Sequence, residues 1–516
     1  MATEAQVIGT WILIIAYAAV ILYFVIRGAL KTKSLSDYAI GNINFSPVSV
    51  GLSLAASMTS AATFVINPGF IAHYGLAGFI SFGIVFPLGS LISLVVLTKS
   101  FQKYGQTVKA LTLAQWIGKR YESKGYSLFV AVLSLLLITF IVLIVVALVK
   151  VLSKSLNVGE FYILLGVVAF VFGYMMFGGA NSMVYTNTVQ AGIMIVVAVI
   201  LLTSGYEHFS NGVNGFLNQL TAISPDLTKI TNENSPLFRD LFEIIIAQFI
   251  VGVAVVCQPH IITKSLLLKS EKDVNKFLVV SVIVEILFFL VVFAGLYARL
   301  TFPDLSVDGV ALMNDGIIPA YVVKVFAGGY LAVAVGLLVV MGLISAGLST
   351  LEGLIQSVSS SITTDIIKPL FGDKIKSERQ YIIINRITIG VLAIVAAIIS
   401  WDQIVNPKLS VGILAQNGVY AFFSAAFVPI LFGIFLKDVK LKAPLIATIT
   451  AIVTHFTIYY ILPLFVSELG WSFGWFTKYL TGTVRNPAIA SASAIVLSTI
   501  VGLAIHFYQK NKTRES

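Results

Sequence analysis

Charge is scarce in this chain. Of its 516 residues only 11% are Asp, Glu, Lys or Arg, against 58% hydrophobic, whereas soluble domains carry about 25% charged residues. With a mean hydropathy of +0.97, that scarcity excludes a water-soluble globular protein and leaves an all-α protein threaded repeatedly through a membrane. Cysteine is nearly missing as well. Cys257 stands alone, which excludes an intramolecular disulfide and a cysteine-rich metal cluster; it is expected to be a small packing residue. Neither a glycine-rich phosphate-binding loop nor a nucleophile–base constellation can be read along the sequence. An enzyme is therefore not expected, and any uphill work must draw on an ion gradient. No basic residue precedes the first apolar stretch, Val7 to Ile26, which is long enough to span, so a cleavable leader is not expected.

The charge that is present is mostly positive, net +10. Its distribution explains it without nucleic acid. Thirteen spans are expected near 7–27, 46–71, 76–98, 126–153, 159–178, 183–205, 240–263, 276–301, 327–366, 380–400, 410–436, 443–465 and 487–508. Twenty-three basic residues, among them Lys31, Lys103, Lys264, Lys269, Lys376 and Arg514, then fall on one side of the membrane, and nine, among them Lys229, Lys408 and Lys478, on the other. Cytoplasmic loops attract lysine and arginine, so the N-terminus is expected outside and the C-terminus inside. Between spans three and four, Leu111 to Tyr121 reads as an interfacial helix with Trp116 at headgroup level.

Two spans are weakly apolar where they should be oiliest. Span two reads Ser53-Leu54-Ala55-Ala56-Ser57-Met58-Thr59-Ser60, and span nine reads Ser345-Ala346-Gly347-Leu348-Ser349-Thr350. Unpaired polar groups are costly in lipid, so these stretches must face protein or water. Span seven carries a second interruption, Cys257-Gln258-Pro259-His260. Broken helices at matching places in two halves are the sequence cue of an inverted-repeat transporter, and an offset of five spans fits five plus five. A break frees backbone carbonyls that suit a hard cation. Ala346, Ser349, Thr350 and Gly353 share one helical face, on which hydroxyls could complete the shell. Close helix packing through small residues explains the same stripe. Glu352 nearby favours function, because a carboxylate at membrane depth is functional by default.

These residues resemble the sodium:solute symporter family, and within it the proline, pantothenate and monocarboxylate branch. Ser34-Leu35-Ser36-Asp37-Tyr38 with Ala55-Ala56-Ser57-Met58-Thr59, the pair Gly178-Gly179, Gln258-Pro259-His260, and Ala346-Gly347-Leu348-Ser349-Thr350 followed by Thr364-Asp365 are similar to its motifs, in its order. The resemblance implies a LeuT-type core at 46–436, preceded by a first helix and loop at 1–45 and followed by two peripheral helices and a short tail at 437–516. It also implies a main sodium site made of the Ala55, Met58 and Ala346 carbonyls with the Ser349 and Thr350 hydroxyls. Sodium would be the co-transported ion, a small solute the cargo, the bilayer the setting. Nothing in the pattern calls for a second copy, so a monomer is the expectation.

One departure stands out. Where many members carry an acid in span six, this chain has Tyr185-Thr186-Asn187; where they carry a serine in span nine, it has Glu352. The resemblance makes those positions neighbours around a second cation site. Glu352 could therefore ligate sodium, stay protonated and donate to Asn187, or cycle a proton, which would make the carrier proton-coupled. A channel or a membrane sensor on the same helices are further alternatives. For the solute, Ala62, Phe64 and Gln258 lie at the breaks. Alanine at 62 argues against a sugar, and the lack of arginine in span four against sialic acid, leaving a small carboxylate or amino acid. Among the remaining polar residues, Glu243 is expected to reach water, Glu285 to need a partner or a cavity, and His260 to cap the inner half of its broken helix or carry a proton.

Overall fold

The computed structural model describes residues 2–375, 377–407 and 409–515, with side chains described for all of these except Asp373, Thr513, Arg514 and Glu515. Lys376 and Lys408, counted above in the charge asymmetry, lie outside the described residues, as does the side chain of Arg514. Among the described residues, ten helices are long and apolar enough to cross a membrane, and two bent pairs bring the number to twelve. The remaining apolar helix, Glu160–Met175, has 16 residues, short of the roughly 20 a hydrocarbon core requires; it is the span of the expected thirteen that the length criterion does not supply. Glu4–Ala29, Glu378–Val405 and Lys442–Leu469 are peripheral, with 17%, 28% and 28% of their apolar windows buried, while Val411–Phe435 is 78% buried and central.

The two bent pairs are the two interrupted spans. The first broken helix consists of Pro47–Met58 and Ala62–Tyr74, bent by 49°. Its hydroxyls sustain the interruption. Thr59 leaves helical geometry at φ −95°, ψ 83°, its hydroxyl donates to the Ala55 carbonyl, and Ser60 Oγ accepts the Ala62 N–H at 3.0 Å. Side chains thus take over bonds that a continuous helix would make with its backbone. The second broken helix consists of Phe242–Val255 and Pro259–Leu267, bent by 55°. Here proline is the cause: Pro259 pushes Gln258 into extended backbone, φ −71°, ψ 138°. Several helices also widen by a π-turn, at Ala62–Ile66, Ile80–Val85, Phe242–Ala247 and Ile362–Ile367.

The first broken helix packs against Ala180–Thr203, against Glu271–Thr301 and against the long helix Gly329–Phe371, which has 43 residues. Backbones approach so closely that glycine is required. A Cβ on Gly252 would lie 2.4 Å from the Phe86 carbonyl oxygen, and one on Gly295 only 2.1 Å from that of Pro68. Gly295→Ala is therefore expected to be destabilised by about 1–3 kcal/mol or more, as overpacked cores are, and to melt at lower temperature. A melting profile equal to that of the parent would refute this close approach.

Two expectations are corrected. Leu113–Arg120 does form a helix, but Trp116 is fully buried and does not sit among headgroups. It stacks on Phe101 with centroids 4.8 Å apart and donates to the Phe101 carbonyl, because the helix is pinned to the long helix by Thr112 donating to Asp365 at 2.6 Å. Glu243 does not reach water either. It is fully buried and paired with Arg239, Nη2 to Oε1 at 2.6 Å. It also accepts from the Arg239 N–H at 2.8 Å and from Asn486 at 3.3 Å. A charged group leaves water only with such compensation.

Candidate ion and solute site

The first break meets the hydroxyl face of the long helix. Ser349 Oγ donates to the Ala56 carbonyl at 2.8 Å, and Thr350 Oγ1 to that of Ser57 at 2.9 Å. In return Ser57 Oγ donates to the Ser349 carbonyl at 2.9 Å. Residues nearly 300 positions apart in sequence therefore form one buried oxygen cluster. The carbonyl of Ala346 lies within it, accepting from Ser349 Oγ at 3.2 Å and Thr350 Oγ1 at 3.4 Å. The carbonyls these hydroxyls reach are those of Ala56 and Ser57, next to the expected Ala55 and Met58. Ala55 keeps its carbonyl on Thr59, and Met58 lines the adjoining cavity. Each hydroxyl retains lone pairs after donating its hydrogen, so the cluster can offer oxygens to a cation.

One turn further along the long helix lies a second polar cluster, centred on Glu352. Its carboxylate accepts from Tyr174 Oη and Thr186 Oγ1, both at 2.6 Å, and from Gln190 Nε2 at 3.2 Å. Asn187 adjoins it. With its amide oxygen toward Lys264, Asn187 donates to Glu352 Oε2 at 2.9 Å and accepts from Lys264 Nζ at 3.1 Å. The opposite orientation would turn the nitrogen to the ammonium and the oxygen to the carboxylate, so hydrogen bonding assigns the former. Four side chains able to donate thus converge on Glu352. Lys264 is buried, 3% exposed. It donates to the Ser53 carbonyl at 2.8 Å and to Ser53 Oγ and Ser57 Oγ, both at 2.7 Å.

A cavity flanks each side of these clusters. One is walled by both breaks and by Val411–Phe435, with Met58, Ala62, Thr63, Gln248, Gln258 and Tyr420 in its lining and about 680 Å³ of space including its open mouth. It presents amides, hydroxyls and aromatic rings, and no charged side chain. The other is lined by His260, Thr263, Lys264, Gln356 and Ser360.

A family model for the sodium:solute symporters matches residues 38–450. The chain belongs to the sodium:solute symporter family. Curated relatives agree with this membership. A sodium/pantothenate symporter of Haemophilus influenzae is 27% identical over 360 residues, 68% of this chain and 70% of the relative. That of Escherichia coli is 25% identical over 458 residues, 84% and 87% of the two chains. A sodium/proline symporter of Staphylococcus aureus is 26% identical over 455 residues, 83% and 81%. A solved structure of a Na+-coupled sialic acid symporter, described as a substrate-bound outward-open state with a novel Na+-site, superposes with a TM-score of 0.73 at 17% identity, over 96% of this chain and 97% of that one. That likeness shows the LeuT-type fold. Sodium is the ion that sodium:solute symporters co-transport.

Within this symporter the expected residues are gathered unevenly. Ser349, Thr350 and Ala346 meet the first break; Asn187 and Glu352 touch; Ala62 and Gln258 share a cavity lining. Phe64 lies elsewhere: fully buried, it packs edge-to-face on Phe288 at 5.6 Å, because the π-turn at Ala62–Ile66 rotates it away from the cavity that Ala62 and Thr63 line. His260 caps nothing. Gln258 is the N-cap, and both imidazole nitrogens are without a hydrogen-bond partner among the described residues. Glu285 is buried with neither oxygen partnered among them. Lys264 was counted with the basic loop, and its place in the site was missed. The signal was there: it lies only five residues beyond Pro259, still inside the broken helix. Gln190 was missed too, although Thr186, Asn187 and Gln190 lie within one turn of each other on the helix Ala180–Thr203.

Proposed function

We propose that this chain imports a small organic solute together with sodium, by alternating access. The observation that carries the reading is the oxygen cluster joining the first break to Ser349 and Thr350. Two hydroxyls and the loosened carbonyls of a broken helix form a neutral, oxygen-only environment, which suits a monovalent cation. Sodium held by Ala55, Met58, Ala346, Ser349 and Thr350 would fasten the broken helix to the long helix; its departure to the sodium-poor side would let them part. Two separate cavities, one on each side of that seam, support alternation and speak against a continuous channel.

The solute would occupy the cavity lined by Ala62 and Gln258. Gln248 Nε2 and Gln258 Oε1 are buried there without hydrogen-bond partners among the described residues, so a solute able to donate and to accept hydrogen bonds would satisfy both. A small amino acid, a monocarboxylate or a pantothenate-like acid meets that requirement, and the relatives named for proline and pantothenate support it. The transport core is 46–436. The N-terminus would lie outside and the C-terminus in the cytoplasm, across the cell membrane, and one copy would suffice. Proton coupling through Glu352 is not favoured, since four donors hold its carboxylate.

Reconstituted vesicles decide the matter. With radiolabelled proline, pantothenate and short monocarboxylates, an inward sodium gradient is expected to drive saturable accumulation of at least one, and choline in place of sodium to abolish it. Accumulation driven by a pH gradient alone, unchanged by sodium, would sink the reading.

A further inference from the structure

The charge balance of the second polar cluster has an owner. In this chain the acid sits on the long helix as Glu352, and its neighbour is an amide, Asn187. The positive charge facing them comes from the protein itself. Lys264 Nζ has four oxygens within 3.1 Å: the Ser53 carbonyl, Ser53 Oγ, Ser57 Oγ and Asn187 Oδ1. An ammonium has three hydrogens, so this shell saturates it. Asn187 then relays to Glu352, its oxygen on the ammonium and its nitrogen on the carboxylate. One positive and one negative group, bridged by one amide, leave the cluster neutral without any ion from solution.

We propose that the Lys264 ammonium is the resident cation of the Asn187–Glu352 site, standing where a second sodium would otherwise bind, so that each chain takes up a single sodium ion. This rests on the reading that Ser349 and Thr350 form the main sodium site, and it goes beyond it by fixing the number of ions. The geometry explains why lysine serves. The lysine springs from the inner half of the second broken helix and grips the inner half of the first. A free ion of the same charge would leave with each transport cycle; a tethered one stays. It also borders the cavity lined by His260 and Gln356, where an ion that replaced it would have a path to solution.

Equilibrium binding of ²²Na⁺ to the purified full-length protein, in detergent and without solute, tests the proposal. Wild type is expected to bind one sodium per chain, and Lys264→Arg to bind one as well. Lys264→Met removes the resident charge but leaves the Ser53, Ser57 and Asn187 oxygens beside the Glu352 carboxylate, so it is expected to bind two. Lys264→Met/Glu352→Gln should return to one. Two ions per wild-type chain would overturn the proposal, and this count needs no variant to fold. One ion on wild type and still only one on a Lys264→Met protein of unchanged size-exclusion profile would overturn it too. The main-site reading fails separately: no sodium on wild type but one on Lys264→Met would sink the Ser349–Thr350 site and leave the resident lysine standing.

Discussion

Sodium dependence is expected to collapse when the hydroxyl face of the long helix is erased. Thr350→Val keeps the shape of the side chain but removes an oxygen that reaches the Ser57 carbonyl at 2.9 Å, and Ser349→Ala removes the one that reaches Ala56 at 2.8 Å. A hydrogen bond or ligand contact involving a charged group contributes about 1.5–3 kcal/mol, and each 1.4 kcal/mol is about tenfold in affinity. Each substitution should therefore raise the sodium concentration for half-maximal uptake by roughly ten- to hundredfold, and the pair should leave no sodium response in an accessible range. Binding of solute at very high sodium should weaken far less in the single variants. If both single variants kept the parental sodium curve, the oxygen cluster would be a packing feature and the ion would bind elsewhere.

The largest stability effect is expected at the N-terminal end of the second broken helix. Glu243 is fully buried, and Arg239 grips both of its oxygens, through Nη2 at 2.6 Å and Nε at 3.1 Å. Arg239 also donates to the Lys478 carbonyl and lies over the Tyr479 ring, 5.2 Å from its centroid. Asn486 reaches Glu243 from the start of the last helix. Removing one member leaves the other buried and unpaired, which costs about 3–5 kcal/mol. Arg239→Met should thus lower the melting temperature by several degrees. Arg239→Met/Glu243→Leu should recover much of the loss, since apolar replacement of both partners is often neutral. A double variant as unstable as the single would mean that the arginine acts through Lys478 and Tyr479 instead of through Glu243.

Much of this architecture was legible because membranes force it to be. Hydropathy placed the spans, and the two breaks were visible as hydroxyl residues and as proline at membrane depth, since neither can be tolerated there without a reason. Pro259 marked its break to the residue. The meeting of Ser349 and Thr350 with the first break was legible only through the family's motif order, because nothing in one sequence brings residues nearly 300 apart together. The errors have a common origin. Trp116 was read as lying on an interfacial helix, Glu243 as near a span end, and Lys264 as one of the basic residues of a loop. Each turned out to have a specific partner inside the protein: Phe101, Arg239, and the Ser53–Ser57–Asn187 oxygens. Hydropathy locates the membrane but does not report which flanking charge has found a counter-group within it. Phe64 failed for a local reason, since a π-turn shifts the face of every residue in it.

The helix from Gly329 to Phe371 has 43 residues, about 64 Å of rise at 1.5 Å per residue. A hydrocarbon layer is roughly 30 Å thick, and helices in bilayers lean by no more than about 40°. Even at that lean the rod overshoots the oil by roughly 19 Å. It therefore has to stand out like a mast, and its C-terminal tip carries Leu370 and Phe371 exposed. A small inclination at the level of Ser349 becomes a large sideways swing at that tip. The end of the rod is thus a natural pointer for what the ion cluster below it is doing.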